Sequence, residues 1–186
     1  SSLTLFLYFY VFEKVVNMIP QIVQVSEMSV VGIYVEMQKH ETHKIKALWQ
    51  QFSPRKGEIT NLLNSKSIAM QIFTIDKNGE PNKNFNMWAC VEISNHSDVP
   101  SDMKGFTIPK GEYLKVLHKG MDAGKTYQYI ITEWLPNSGY KIDDRPHFQV
   151  MGDKYKNGSP DSEEDFYIPV IKIEQNGNVT SSDSEE

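Results

Sequence analysis

The chain has 186 residues, of which 39% are apolar, and its 19 Lys and Arg against 24 Asp and Glu give a formal net charge of −5. An acidic chain without a basic stripe lacks the surface that binds phosphate backbones, so we expect no direct contact with nucleic acid. The one cysteine, Cys90, excludes an internal disulfide and a metal site built from several cysteines, and we expect neither a metal nor another cofactor.

Both ends of the chain differ in composition from the middle. Residues 3–12 form an apolar run that is shorter than the roughly 20 residues a membrane-spanning helix needs. No basic segment precedes this run and no small-residue cleavage site follows it, which argues against a secretory signal. We therefore predict an extension at 1–17 outside the domain, a domain at 18–175 and a disordered acidic tail at 176–186. The expected location is the cytoplasm, without a membrane partner.

The first half of the domain begins with β-rich residues at 21–37 and continues into a helix. The helix is predicted by apolar residues at i, i+3, i+4 and i+7, and it ends before Pro54. Two segments of strand character follow at 68–75 and 85–93, joined through Asn78-Gly79, which predicts a β-hairpin. The apolar residues of the helix are Ile45, Leu48, Trp49 and Phe52.

The second half repeats this order after a connection at 95–111. A strand at 112–118 leads to a helix that Asp122 can cap, and two strands follow at 147–151 and 165–172. The helix carries the same spacing of apolar residues and is ended by Pro136 and Gly139; its apolar residues are Tyr127, Ile130, Ile131 and Trp134.

The repeated order predicts an α+β fold made of two β-α-β-β halves, at about 18–94 and 105–175. We expect their strands to form one antiparallel sheet with two main helices. Where two helix-covered half-sheets meet, a groove remains, and such grooves are favoured sites for small molecules. The sequence therefore predicts a central ligand groove between the halves.

One stretch of the second half resembles the signature of the gyrase-inhibitor-like (GyrI-like) family. It is Tyr129-Ile-Ile-Thr-Glu-Trp-Leu-Pro-Asn-Ser-Gly-Tyr140, followed by segments 144–150 and 165–170. The family is a small-molecule-binding domain, also found as the effector-binding domain of bacterial AraC-type and multidrug-responsive transcription activators. The resemblance covers about 19–173 and implies a central cavity for amphipathic, often cationic, organic molecules. Relatives often carry an acidic residue where this chain has Gln149, which is a departure.

Two carboxylates are candidates for binding a cation. Alternation along the strand places Glu92 on one face with Trp88 and Cys90, and a carboxylate beside an aromatic ring is suited to organic cations. Glu133 lies on the second helix, where the family resemblance favours it over an ordinary solvated glutamate. The candidate aromatic walls, each of which could equally be core, are Trp88, Tyr113, Tyr127, Trp134 and Tyr167.

Other reactive residue types lack the spacing that chemistry needs. His40 and His43 are three residues apart, whereas a zinc metalloprotease helix needs four. We interpret His118 and His147 as structural histidines, since each adjoins an apolar strand without a visible partner. Cys90 has no recognisable base nearby and is expected to be inert.

Two functions remain open. In the first, which we favour, a stand-alone domain binds or sequesters amphipathic, cationic aromatic compounds in the groove. In the alternative, the chain is a hydrolase that opens reactive strained-ring compounds, as the resemblance to some relatives implies, with groove carboxylates as general acid and base. A protein partner is suggested by family analogy alone.

Overall fold

The computed structural model describes residues 19–174, so the predicted extension at 1–17 and the predicted tail at 176–186 lie outside the described residues. The helices are α1 (His43–Phe52) and α2 (Ala123–Tyr129). The strands are β1 (Gln21–Val25), β2 (Met28–Met37), β3 (Ser67–Ile75), β4 (Pro81–Glu92), β5 (Lys104–Ile108), β6 (Gly111–Lys119), β7 (Tyr140–Ile142), β8 (His147–Met151) and β9 (Glu163–Lys172).

Both helices form where the apolar spacing predicts them, and each is followed by a segment of another helical type. A 3-10 helix at Ser53–Glu58 follows α1, with Pro54 in its first turn. The Asp122 side chain accepts a hydrogen bond from the Lys125 backbone N–H at 3.1 Å, so it caps α2 as predicted. A π-helical turn at Ile130–Trp134 extends α2.

One antiparallel sheet runs in the order β1-β6-β9-β8-β3-β4-β2-β5, with β7 paired to β9 beside this path. The order is symmetric about the β3/β8 pair, which we call the seam. The predicted antiparallel sheet with two helices is confirmed. Besides the short β7, each half nevertheless has one strand more than predicted, because β1 and β2 are separate and β5 lies inside the expected connection. These extra strands are exchanged: β1 pairs with β6 of the second half, and β5 pairs with β2 of the first.

The exchange forces the sheet to curl. Strands β1 and β2 are six places apart, about 29 Å in a flat sheet, yet only Ser26 and Glu27 join them. Three residue steps reach about 11 Å at most. The same holds for β5 and β6, which Pro109 and Lys110 connect. The two ends of the sheet must therefore approach each other.

The two faces of the sheet carry different cores. On the helix-bearing face, α1 packs over Val31, Met87 and Ala89, while α2 packs over Val116 and other residues of β6 and β9. On the opposite face a third cluster joins residues from the middle and from both ends of the sheet. It includes Val30, Ile68, Met70, Trp88, Cys90, Ile108, Tyr113 and Phe148. Alternation in β4 separates Met87 and Ala89 from Trp88 and Cys90, as predicted.

Gly32 permits a close approach of two backbone strands in the sheet. It lies in β2 opposite Cys90 of β4, and a Cβ atom there would stand 2.0 Å from the Ala89 carbonyl oxygen. Because backbone cannot move aside cheaply, we expect Gly32→Ala to lower the free energy of unfolding by about 3 kcal/mol. Gly57→Ala is the matched control, since nothing lies within 4 Å of its added Cβ. Urea denaturation measures both, and equal stability of the two variants would contradict the tight packing of β2 on β4.

Candidate functional site

A cleft of about 590 Å³ crosses the seam where β3 ends and β8 begins. The first half contributes residues 38–40 and the β3–β4 hairpin, and the second half contributes α2 and residues 142–145. We call this cavity the seam cleft. Three aromatic side chains line it, Phe73, Phe85 and Tyr127, and the rings of Phe73 and Phe85 lie 5.1 Å apart. The cleft therefore offers flat apolar surface from both halves.

His147 and Tyr127 form a hydrogen-bonded pair in the seam cleft. The Tyr127 hydroxyl lies 3.0 Å from Nδ1 of His147, and the Phe73 ring meets the imidazole edge to face at 4.9 Å. His147 is 6% exposed. Burial lowers the pKa of His147 to about 4 and raises the pKa of Tyr127 to about 12. Both groups are therefore uncharged at neutral pH.

Arg145 fixes the loop that forms one wall of the cleft. Its Nε donates to Asp143 at 2.5 Å, and its Nη2 donates to the carbonyl oxygens of Glu112 and Val170 at 2.8 and 3.0 Å. The guanidinium also lies 4.5 Å from the ring centre of Tyr113. Burial opposes ionisation of Asp143, but the hydrogen bond from Arg145 and that from the Asp144 backbone lower its pKa overall. Arg145 and Asp143 thus neutralise each other, and the pair adds no net charge to the cleft.

The remaining charges of the cleft lie around its opening. Asp144, Lys39 and Lys83 line the cleft and are exposed. Exposed charges interact weakly through water and are screened by salt. The electrostatic field of the cleft is therefore set at its rim, while its interior is neutral.

A second cavity, of about 530 Å³, lies beside the same hairpin and is lined mainly by polar side chains. Its amides already bond one another: Asn84 donates to Glu36 and accepts from Gln38, and Asn82 donates to Thr74. Such satisfied polar groups gain little from a ligand. The seam cleft is the better candidate site.

One of the seven residues proposed from sequence, Tyr127, lines the seam cleft. Trp88, Tyr113 and Tyr167 lie in or against the cluster on the opposite face, and Trp134 packs beside α2. Of the two carboxylates, Glu133 is exposed, and Glu92 is half-buried and accepts a hydrogen bond from Asn64 at 3.0 Å. Neither of these carboxylates lines the seam cleft.

Sequence patterns do not single out Phe73 or the Asp143–Arg145 loop as site residues. They favour a structural role for His147, which adjoins an apolar strand and shows no partner in the sequence; its partner in the structure, Tyr127, lies on α2. A signal was present in the alternation of β8, which separates His147 from Phe148. The register places His147 opposite Gln71 of β3, on the strand that carries Phe73.

The cysteine of the chain, Cys90, is not placed to react. Cys90 is fully buried, its Sγ donates to the Ile68 carbonyl at 3.4 Å, and burial raises the pKa of its thiol. A buried thiol of this kind is a poor nucleophile.

Within residues 19–174, no group of three His, Cys, Asp or Glu side chains is arranged to hold a metal ion. None of the helices in that range is long and apolar enough to cross a membrane.

The sequence is similar to known proteins over nearly the whole length of the sheet. Residues 21–170 match the Cass2 family, described as integron-associated effector-binding proteins. Over 161 residues, 84% of the chain, the sequence is 28% identical to the transcriptional regulator BrlR of Pseudomonas aeruginosa. The chain spans 57% of the length of BrlR, so the match covers only part of that regulator.

Solved structures share the same fold. The structure of SAV2435 bound to tetraphenylphosphonium superposes with a TM-score of 0.61 at 17% identity, covering 83% of this chain and 94% of that one. The integron cassette protein VCH_CASS2 from the mobile metagenome of Vibrio cholerae gives a TM-score of 0.57 at 17% identity, covering 82% and 95%. At identities this low the superpositions show a common fold. Tetraphenylphosphonium is a ligand of SAV2435.

The buried, neutral state of His147 makes stability depend on pH. Its folded pKa of about 4 lies below the unfolded value near 6.5, so the unfolded chain takes up the proton first as the pH falls. We expect the full stability above pH 6.5 and a loss of about 3 kcal/mol as the pH falls through 4.

The measurement compares chemical denaturation of the parent and of His147→Gln between pH 7 and 4. Burial raises the pKa of Glu164 to about 7, so protonation of Glu164 favours the folded state as the pH falls, opposite to His147. Because both proteins contain Glu164, the difference between their stability curves reports His147 alone. A His147 NMR titration midpoint near 6.5 would contradict the buried neutral pair.

Proposed function

Since the chain belongs to the family of integron-associated effector-binding proteins, we propose that it binds an aromatic, amphipathic small molecule in the seam cleft and prefers one that carries a positive charge. Family membership supports small-molecule binding as the function. The observation that carries the choice of site is the seam cleft itself, lined by aromatic rings from both halves. Its volume falls within the range of about 300 to 1,000 Å³ usual for ligand pockets.

Aromatic side chains suit a ligand of variable shape. Phe73 and Phe85 present ring surface without polar groups, and the ring of Tyr127 adds to this surface. Aromatic contacts bury ligand area and tolerate changes in outline. We therefore expect broad selectivity among ring compounds and a modest affinity.

The preference for a cation rests on the rings and on Asp144. Ring faces attract cations by about 0.5 to 2 kcal/mol each, depending on how far the cation is desolvated. The exposed Asp144 adds attraction at the rim, while the ammonium groups of Lys39 and Lys83 oppose it. The tetraphenylphosphonium bound to SAV2435 is a cation of this aromatic type. Because two ammonium groups stand against one carboxylate, the rim as a whole does not favour a cation, and the preference that the rings supply is small.

The hydrolase alternative needs two groove carboxylates that act as acid and base. Glu92 and Glu133 belong to different halves, and neither lines the seam cleft. Of the two carboxylates that do line it, Asp143 is engaged by Arg145. Binding without turnover is therefore the function that we favour.

Titration with tetraphenylphosphonium tests the proposal. We expect saturable binding by isothermal titration calorimetry, about two- to fivefold tighter than binding of the neutral triphenylphosphine oxide because of the attraction of the rings for the cation. Ligand recovered after the titration should keep its mass. Absence of binding for both compounds would contradict the proposal, and hydrolysis of an aryl epoxide, detected by mass spectrometry, would support the enzyme instead.

Charge substitutions locate the bound cation. Asp144→Asn should weaken tetraphenylphosphonium about two- to fivefold at low salt and leave triphenylphosphine oxide unaffected. Asp161→Asn is the matched control, since Asp161 is exposed in the loop between β8 and β9. If Glu92→Gln or Glu133→Gln weakens the cation while Asp144→Asn does not, the ligand binds at the residues predicted from sequence and not in the seam cleft.

A further inference from the structure

The His147–Tyr127 pair leaves hydrogen-bonding capacity unused inside the seam cleft. The pair has two polar protons, one on the imidazole and one on the phenol, and the bond between Nδ1 and the hydroxyl uses one of them. If the hydroxyl donates, the imidazole Nε2 keeps a proton; if Nδ1 donates, the hydroxyl proton is left over. In either tautomer one donor and at least one acceptor remain.

Within the described part of the chain, the pair has no further protein partner. Nδ1 of His147 makes the only hydrogen bond of that ring, and the Tyr127 hydroxyl makes its only bond to the same atom. Both residues line the cleft, and His147 belongs to the rigid sheet rather than to a loop. A ligand that enters the cleft therefore meets a donor and an acceptor at fixed positions.

A purely hydrocarbon ligand would cover these groups without replacing their bonds to water. An unsatisfied polar group that becomes buried costs free energy, and sites of this kind discriminate against ligands that lack the matching group. The charge of the matching group also matters, because an ion pushed against a neutral, buried pair loses its water without gaining a counter-charge.

We propose that the His147–Tyr127 pair is a neutral hydrogen-bonding anchor, which selects aromatic ligands carrying one uncharged polar group, such as a hydroxyl or a carbonyl, on the ring that enters the cleft. This inference rests on the proposed function, since it concerns the same cleft. It assigns any positive charge of the ligand to the rim beside Asp144 and the neutral polar group to the interior. The ligand class is therefore an amphipathic molecule whose ring bears a phenol-like or carbonyl group at the end opposite its charge.

Two phosphonium cations of equal charge test the inference. Tetraphenylphosphonium is compared with (4-hydroxyphenyl)triphenylphosphonium, which differs by one hydroxyl. We expect the hydroxyl compound to bind about three- to tenfold more tightly, as one added hydrogen bond implies. This advantage should disappear in His147→Leu and decrease in Tyr127→Phe. Tyr129→Phe, at an exposed tyrosine of the same helix, is the matched control and should keep the full advantage.

The outcomes separate the inference from the proposed function. If neither compound binds the parent protein, the proposed function fails. If both bind the parent equally, or if the hydroxyl advantage survives in both His147→Leu and Tyr127→Phe, the anchor is overturned while binding stands. Tetraphenylphosphonium affinity of each variant reports whether its cleft is folded, and Tyr127→Phe removes a single oxygen atom, so it provides the test even where His147→Leu does not fold.

Discussion

The short connections between exchanged strands constrain the whole molecule. Two residues join β1 to β2 and two join β5 to β6, although each pair of strands lies six places apart in the sheet. The sheet therefore curls, and its two ends share one apolar cluster on the face without helices. With that face filled by its own side chains, the helix-bearing face is left to form the seam cleft. The position of the candidate site follows from the topology.

Gly111, the first residue of β6, directly follows the short connection between β5 and β6. Its φ of +154° suits glycine, and a Cβ atom there would stand 2.1 Å from Nη1 of Arg145. The missing side chain thus admits the guanidinium that binds the carbonyls of β6 and β9 and holds Asp143. Gly111 thereby helps to position the Asp143–Arg145 loop, which forms one wall of the cleft.

Local patterns were sufficient for most of the fold. The spacing of Leu48 and Phe52 predicted α1, and Asp122 predicted the start of α2, because both signals depend on neighbours within one helix. The strand β5 was missed although Phe106, Thr107 and Ile108 favour a strand, because the segment is short and its partner β2 is distant in sequence. The break between β1 and β2 was missed because Ser26 and Glu27 include neither Gly nor Pro, the residues that mark a turn most strongly.

The candidate site was harder to predict, for a physical reason. Its polar pair combines a helix residue with a strand residue, Tyr127 and His147, and their meeting depends on how α2 packs on the sheet. Glu92 was selected because it shares a strand face with Trp88, and Glu133 because of the family resemblance, and neither signal reports which cavity a side chain lines. The predicted groove between two halves came from the repeat, which is a property of the whole sequence.

Strand exchange also determines when the fold can be completed during synthesis. Gln21 of β1 pairs with Lys115 of β6, so β1 leaves the ribosome roughly 5 to 20 s before its partner at ordinary elongation rates. The first half also waits for β5 to cover the edge of β2. Neither half can finish alone, and the nascent chain carries an unpaired apolar strand until most of its length has emerged. Sequence-distant pairing of this kind slows folding, because the entropy of closing a long loop is lost before the contacts that compensate it can form.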